Sequence, residues 1–263
     1  MKLVRSLGIA VLFGVASPAL GCVGVSGGGL VEFRAAAAGP RDATGGALSF
    51  RSRAGFDVTL RRATLHVGAL YLNRTVPLTS ERASSCVLPS TYVAQVLSAV
   101  DVDLLSAQAT PFPSVGTGLQ DRAVNGEVWL TGTGDVNASE DKTAIFVFEG
   151  EATKAGITTP FRGRFTIGQN RAAAPQSAAL PGSNPMCQQR IVTGIPTDIV
   201  LHEGANLLLR ADPRPVLDLV DFDQLAISPD GVGEFADDDV GQPDLAAFNA
   251  LRSSRGVYTF ELD

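Results

Sequence analysis

The stretch at residues 56–72, FDVTLRRATLHVGALYL, decides the fold class. Apolar side chains occupy every second position from Phe56 to Leu60, and the alternation resumes from Leu65 to Tyr71. A period of two is the pattern of a β-strand that buries one face. We therefore expect strands here, with the apolar residues from Leu65 to Tyr71 sharing a buried face.

The same pattern recurs along the chain. Further strands are predicted at 31–35, 144–152, 161–167, 190–195, 199–202, 206–210 and 257–262. Asn125-Gly126 predicts a two-residue hairpin between strands at 119–124 and 127–131, and residues 154–156 predict a second. Helical patterns are confined to 90–100 and 243–252. The sequence thus predicts an all-β protein, an antiparallel β-sandwich or barrel-like domain over residues 30–263 with one or two short helices.

The N-terminus has the plan of a bacterial signal peptide over residues 1–21. Two basic residues, Lys2 and Arg5, precede a short apolar run, and small residues follow before Cys22. The run is shorter than the ~20 residues that span a bilayer. Residues 19–22, ALGC, resemble a lipobox, so Cys22 is predicted to carry a lipid anchor. Ordinary signal peptidase cleavage at the same small residues is the alternative and would release a soluble protein.

The three cysteines fit an exported, anchored chain. Lipidation of Cys22 leaves Cys86 and Cys187, which we predict to form a disulfide in an oxidising compartment. Residues 22–29 then form a lipidated cysteine followed by a glycine-rich tether.

Charge narrows the class of partner. Loss of Lys2 and Arg5 with the signal lowers the basic residues from 21 to 19, against 27 acidic ones. Such an acidic chain is not suited to nucleic acid, and its contact with the membrane is expected to be the lipid at Cys22 alone.

Candidate metal ligands cluster near the C-terminus. Asp230, Glu234, Asp237, Asp238 and Asp239 could attract calcium, although their spacing does not match an EF-hand. A solvated acidic loop is the alternative.

Catalytic and ligand-binding patterns are sparse. Glu149, Glu151 and Asp218 are the carboxylates that a hydrolase reading would use. Trp129 and Tyr71, Tyr92 and Tyr258 could line an apolar pocket or belong to the core. No cofactor motif or catalytic constellation is recognised, so a non-enzymatic protein is predicted.

Several segments also resemble a known family. They are FDVTLRRATLHVGALYL (56–72), TYVAQVLSAVDVDLL (91–105), GEATKAGITTPFRGR (150–164), DLVDF (218–222) and LRSSRGVYTFEL (251–262). Together they resemble an uncharacterised family of exported bacterial lipoproteins with an all-β domain. The resemblance implies histidines shortly before the segment of Tyr92, but residues 86–91 contain none, so no metal role is carried over.

These observations predict a non-enzymatic lipoprotein of the cell envelope, facing the periplasm or the cell surface, whose β-sandwich binds a protein or polysaccharide partner. The alternative is a soluble periplasmic protein that binds a small ligand or a metal ion.

Overall fold

The computed structural model describes residues 29–76, 90–131, 141–167, 189–237 and 241–263. In these ranges the chain is built mainly of short strands, with two α-helices and a 3-10 turn at Phe222–Gln224. The strands are β1 (Leu30–Ala38), β2 (Leu48–Arg51), β3 (Asp57–Val67), β4 (Ala69–Asn73), β5 (Tyr92–Val96), β6 (Val100–Asp103), β7 (Thr110–Pro111), β8 (Gly116–Leu119), β9 (Arg122–Trp129), β10 (Asp141–Lys154), β11 (Ile157–Ile167), β12 (Ile191–Val200), β13 (Asn206–Ala211), β14 (Ala226–Ile227), β15 (Gly233–Phe235) and β16 (Tyr258–Leu262). The helices are α1 (Arg214–Leu217) and α2 (Gln242–Leu251).

The strands form two sheets. The larger has the order β12-β9-β4-β5-β8-β1-β13-β16, with β7 paired to β1, and the smaller has the order β14-β15-β11-β10-β3-β2, with β6 paired to β3. Most neighbours are antiparallel, whereas β1 with β13 and β11 with β15 are parallel. One main core draws apolar side chains from both sheets. The predicted all-β sandwich with short helices is therefore confirmed.

Residues 56–72, the stretch that decided the fold class, cross from the smaller sheet to the larger one. Leu65 and Val67 lie in the main core at the end of β3, as predicted. After Gly68 the chain enters the larger sheet as β4, where Ala69 and Tyr71 belong to a separate cluster. The prediction that all four share one face is wrong, because the change of sheet alters which side of the strand meets the main core.

Two local predictions are overturned by pairing with other strands. Residues 92–96 form β5 instead of a helix, because this segment hydrogen-bonds to β4 and β8. Asn125-Gly126 is no turn, because β9 runs straight through it. A Cβ at Gly126 would lie 2.1 Å from the Phe260 ring, so this glycine allows close packing against β16.

The hairpin at residues 154–156 and the C-terminal helix are confirmed. Ala155 and Gly156 have φ values of 52° and 81° between β10 and β11, as in a type I′ turn. Helix α2 begins with Pro in its first turn and buries Phe248 and Leu251 in the main core.

Phenylalanine rings lie on cross-strand glycines at three places. The pairs are Phe33 with Gly116, Phe148 with Gly163 and Phe161 with Gly150. A Cβ at Gly116 or Gly163 would lie 2.3 Å from the facing ring, and one at Gly150 would lie 2.9 Å away. The glycines therefore give the rings the space they fill, which explains their place inside strands.

No helix among the described residues is long and apolar enough to cross a bilayer. The predicted signal peptide, Cys22 and the Cys86–Cys187 pair lie outside the described residues.

Candidate functional site

Strand β9 carries a buried polar stripe on the face that points away from the main core. Asn125, Glu127 and Trp129 occupy alternate positions, and Thr131 continues the series just past the strand. All four are buried, with Glu127 fully excluded from solvent. Val128, between them, faces the main core. A buried polar stripe is unusual, because removing polar groups from water costs free energy unless they are hydrogen-bonded.

Neighbouring strands complete the stripe. Across β4, Tyr71 is opposite Glu127 and Asn73 is opposite Asn125. Tyr92 of β5 is in turn opposite Asn73. On the other side, β12 supplies Thr193, next to Gly194 at φ 81° and an irregularity in the β12–β9 register. We call the following residues the Glu127 cluster: Tyr71, Asn73, Tyr92, Asn125, Glu127, Trp129 and Thr193.

Neutral donors hold the Glu127 carboxyl group. Trp129 Nε1 donates to Oε2 at 3.3 Å, and Thr193 Oγ1 donates to Oε1 at 3.2 Å. Asn125 Nδ2 donates to Thr193 Oγ1 at 3.5 Å, which orients that hydroxyl toward the carboxyl group. The Tyr92 hydroxyl also hydrogen-bonds to Glu127. The cluster therefore fixes one carboxyl group from three strands.

Burial dominates the electrostatics of the site. It raises the pKa of Glu127 above its ordinary value, although hydrogen bonds from Trp129, Thr193, Asn73 and Tyr92 act in the opposite direction. Burial, followed by the charge of Glu127, raises the pKa of Tyr71 and of Tyr92. Burial thus disfavours the ionised form of Glu127, and the hydrogen bonds offset part of this effect.

Other polar atoms of the stripe remain without hydrogen-bond partners. Within the described part of the chain these are Asn73 Oδ1, Asn125 Oδ1 and Thr131 Oγ1. Asn73 is fully buried and Asn125 is 1% exposed. Leaving a buried donor or acceptor unpaired costs ~1–3 kcal/mol. Such groups are few in native proteins, and a bound water, ion or other partner is one explanation for them.

Three aromatic rings of the cluster pack against one another. The Tyr71 ring lies 5.1 Å from the Trp129 ring and 5.2 Å from the Tyr92 ring, measured between centroids. Tyr92 also lines an open groove of about 260 Å³ that runs over Leu30, Gln95 and Leu119. Tyr92 therefore belongs both to the buried cluster and to the lining of this groove.

The predicted acidic residues lie elsewhere, beside the smaller sheet. Arg162 pairs with Asp230 at 2.9 Å and also with Glu234, while Asp237 accepts a 2.6 Å hydrogen bond from the Thr166 backbone. Hydrogen bonds from Ser228 and Arg162 lower the pKa of Asp230. Asp238 and Asp239 lie outside the described residues. Within the described ranges, no three His, Cys, Asp or Glu side chains come together in a way that could hold a metal ion.

The three carboxylates of the hydrolase hypothesis each pair with a different arginine. Glu149 pairs with Arg62 at 3.2 Å and Glu151 with Arg61 at 2.9 Å, both on the outer face of the smaller sheet. The Arg53 backbone N–H donates a 2.8 Å hydrogen bond to Asp218, and the Arg53 side chain forms an ion pair with the same carboxylate. Each carboxylate is thus engaged in a local contact.

The four aromatic residues predicted to line a pocket lie in two different places. Tyr71, Tyr92 and Trp129 come together in the Glu127 cluster. Tyr258 is separate, because its buried hydroxyl donates to the Leu251 carbonyl at 2.9 Å and so ties β16 to α2.

A larger cleft, of about 370 Å³, opens near the C-terminal strand. Its charged side chains neutralise one another: Arg214 pairs with Asp42 and Asp212, each at 2.7 Å, and Glu261 pairs with Arg41 and Arg210. These pairs close a network within the cleft. The Glu127 cluster, which contains unpaired buried atoms, is the better candidate for a ligand site.

Sequence reasoning missed Glu127, Asn73, Asn125 and Thr193. In residues 124–128, Asn125 and Glu127 alternate with Val124, Gly126 and Val128, which is also the pattern of a strand whose polar face meets water. The presence of Trp129 within the polar register was the signal that this face is covered.

Comparisons with known proteins give little support for a family. No family model matches the chain, and no curated protein matches it. Among solved structures the chain is similar to MbnP from Methylosinus trichosporium, with 12% sequence identity and a TM-score of 0.27 over 89% of this chain and 98% of that chain. At this TM-score neither fold nor function is inferred from the similarity.

Proposed function

We propose that this protein is a non-enzymatic lipoprotein of the bacterial cell envelope, and that its β-sandwich binds a small ligand at the Glu127 cluster. The observation that carries the binding proposal is the fully buried Glu127, beside Asn73 and Asn125 atoms that lack hydrogen-bond partners within the described chain. The anchor follows from the signal-like N-terminus and from the lipobox-like residues 19–22.

The stability cost of the cluster supports a binding role. A core built only for stability would bury apolar side chains at these positions, because unpaired polar atoms destabilise the fold. Proteins often retain such a cost where a site must bind something. A ligand that supplies the missing hydrogen bonds would recover this free energy on binding.

The Asn73→Leu variant tests the binding role. Leucine has a similar size and removes the unpaired Oδ1, so a ligand that donates a hydrogen bond to this oxygen should lose about 0.5–1.5 kcal/mol of binding free energy. Ligand-induced thermal shifts should be reduced accordingly. Thr153→Val, which alters an exposed hydroxyl on the far hairpin, is the matched control and should leave thermal shifts unchanged.

The screen uses the mature protein with a panel of amines, sugars, carboxylic acids and metal ions. A ligand at 100 times its Kd should add ~2.7 kcal/mol of stability. If no compound shifts the melting temperature of the wild type, or if Asn73→Leu responds equally well, the binding role is wrong.

Intact-mass spectrometry tests the anchor. Protein purified from the native membrane fraction should begin at Cys22 and carry added acyl mass, and Cys22→Ala should lose it. An unmodified chain in the soluble fraction would instead support the soluble periplasmic binding protein.

A further inference from the structure

We infer that the ligand of the Glu127 cluster is a small molecule carrying a protonated primary amine. This inference rests on the proposed binding role and names the chemical class of the ligand. It depends on the kinds of hydrogen-bonding groups that the cluster presents.

The first argument is the set of groups around the carboxylate. The described groups that act on Glu127 are neutral: an indole, two hydroxyls and an amide. Neutral donors reduce the cost of burying a carboxylate, whereas a cation in contact also supplies the opposite charge. A positively charged ligand would therefore complete the site better than a neutral or anionic one.

The second argument is the type of unpaired atom next to Glu127. Asn73 Oδ1 and Asn125 Oδ1 are buried acceptors with no partner in the described chain, and their backbones are opposite each other in the β4–β9 register. A primary ammonium group has three N–H donors and no acceptor. It can donate one hydrogen bond to Glu127 and one to each asparagine. A quaternary ammonium group has no N–H and would leave both oxygens unpaired.

The third argument is the aromatic border. Rings attract organic cations that lie within ~6 Å of a ring centroid, and Tyr71, Tyr92 and Trp129 form a continuous group beside the carboxylate. The predicted mature chain, with 19 basic residues against 27 acidic ones, also favours the approach of cations. Tyr92 also lines an open groove at the protein surface.

Calorimetry with size-matched probes tests the inference. Butylamine and 1-butanol differ at one end group, while tetramethylammonium keeps the charge and lacks N–H donors. At neutral pH the mature protein should bind butylamine at least tenfold more tightly than either of the others. N-acetylglucosamine serves as a neutral polar probe.

The central variant is Glu127→Gln, which keeps the size of the side chain but removes its charge and replaces one acceptor oxygen with an NH2 donor. We expect butylamine affinity to fall about 10- to 100-fold, the factor associated with a hydrogen bond to a charged group. Glu149→Gln is the control, because that carboxylate is exposed and paired with Arg62, and it should bind like the wild type.

A second pair of variants keeps the test valid if Glu127→Gln fails to fold. Tyr71→Leu should weaken butylamine binding, whereas Tyr71→Phe retains the ring and should not. Equal binding by the wild type and Glu127→Gln, or by Tyr71→Leu and Tyr71→Phe, would overturn the inference.

The outcomes separate this inference from the proposed function. Tight binding of 1-butanol or N-acetylglucosamine that is weakened in Asn73→Leu refutes the amine and leaves the binding role standing. Failure of every compound in the wider panel refutes both.

Discussion

Substitution of Gly163 by Ala should destabilise the protein through one ring. A Cβ at this position would lie 2.3 Å from Phe148 Cζ and 2.5 Å from Cε1, whereas carbon atoms in contact prefer about 3.5–4.0 Å. The ring would therefore have to move by more than ~1 Å. Its centroid already lies 4.7 Å from that of Phe146 and 4.9 Å from that of Phe235, so it has little room.

The magnitude follows from two known effects. Overpacking a filled core costs about 1–3 kcal/mol, which we expect for Gly163→Ala. Phe148→Ala should cost about 3–5 kcal/mol because it leaves a cavity. In the double variant the added methyl group meets no ring, so the total loss should be smaller than the sum by about 1–3 kcal/mol.

Urea unfolding of the four proteins in this double-mutant cycle measures the coupling, provided that the slope m stays constant. Gly29→Ala is the control, because a Cβ there meets nothing within 4 Å, and its stability should change by less than about 0.5 kcal/mol. Additive losses in the double variant, or an unchanged Gly163→Ala, would show that the ring does not lie on the glycine.

Three further predictions concern a carboxyl group, a hydroxyl group and a disulfide. Burial raises the pKa of Glu127 in the folded state above the ordinary 4.5. The contribution of Glu127 to the free energy of unfolding is therefore complete at pH below about 4.5, and it should fall as the pH rises from there through the raised pKa. Glu127→Gln should reduce this slope in urea titrations across pH, and an identical slope would contradict the assignment. Tyr258→Phe removes the donor to the buried Leu251 carbonyl and should cost about 1–3 kcal/mol by thermal unfolding; an unchanged melting temperature would argue against the bond. Reduction of the predicted Cys86–Cys187 disulfide should lower the calorimetric melting temperature, with a loss of ~4–5 kcal/mol for a loop of this length, whereas two free thiols in the exported protein would refute the pairing.

Local patterns in the sequence predicted the features that depend on neighbouring residues. The alternation from Phe56 to Leu60 predicted a strand, and Lys154-Ala155-Gly156 predicted a hairpin whose turn has the expected positive φ values. The helix at 243–252 was predicted from its apolar spacing. Each of these signals comes from backbone preference or from side-chain periodicity over a few residues.

The same local signals failed where distant strands decide the outcome. Residues 90–100 have a helical spacing, yet β4 and β8 pair with this segment and make it a strand. Asn125-Gly126 has the composition of a turn, yet the glycine serves the packing of Phe260. Hydrogen bonding to a neighbouring strand outweighs a weak local preference.

The sequence by itself determined the β class, the confirmed hairpin and the C-terminal helix, and it supplies the signal and anchor predictions. Only the tertiary structure decided that Tyr71 leaves the main core, because the chain changes sheet at Gly68. It also decided that Asn73, Glu127 and Thr193 meet in one cluster. These residues lie on strands far apart in the chain, and a polar position on a strand has the same pattern whether water or protein covers it. Burial is a property of the assembled sheets, and it gives Glu127 its chemistry.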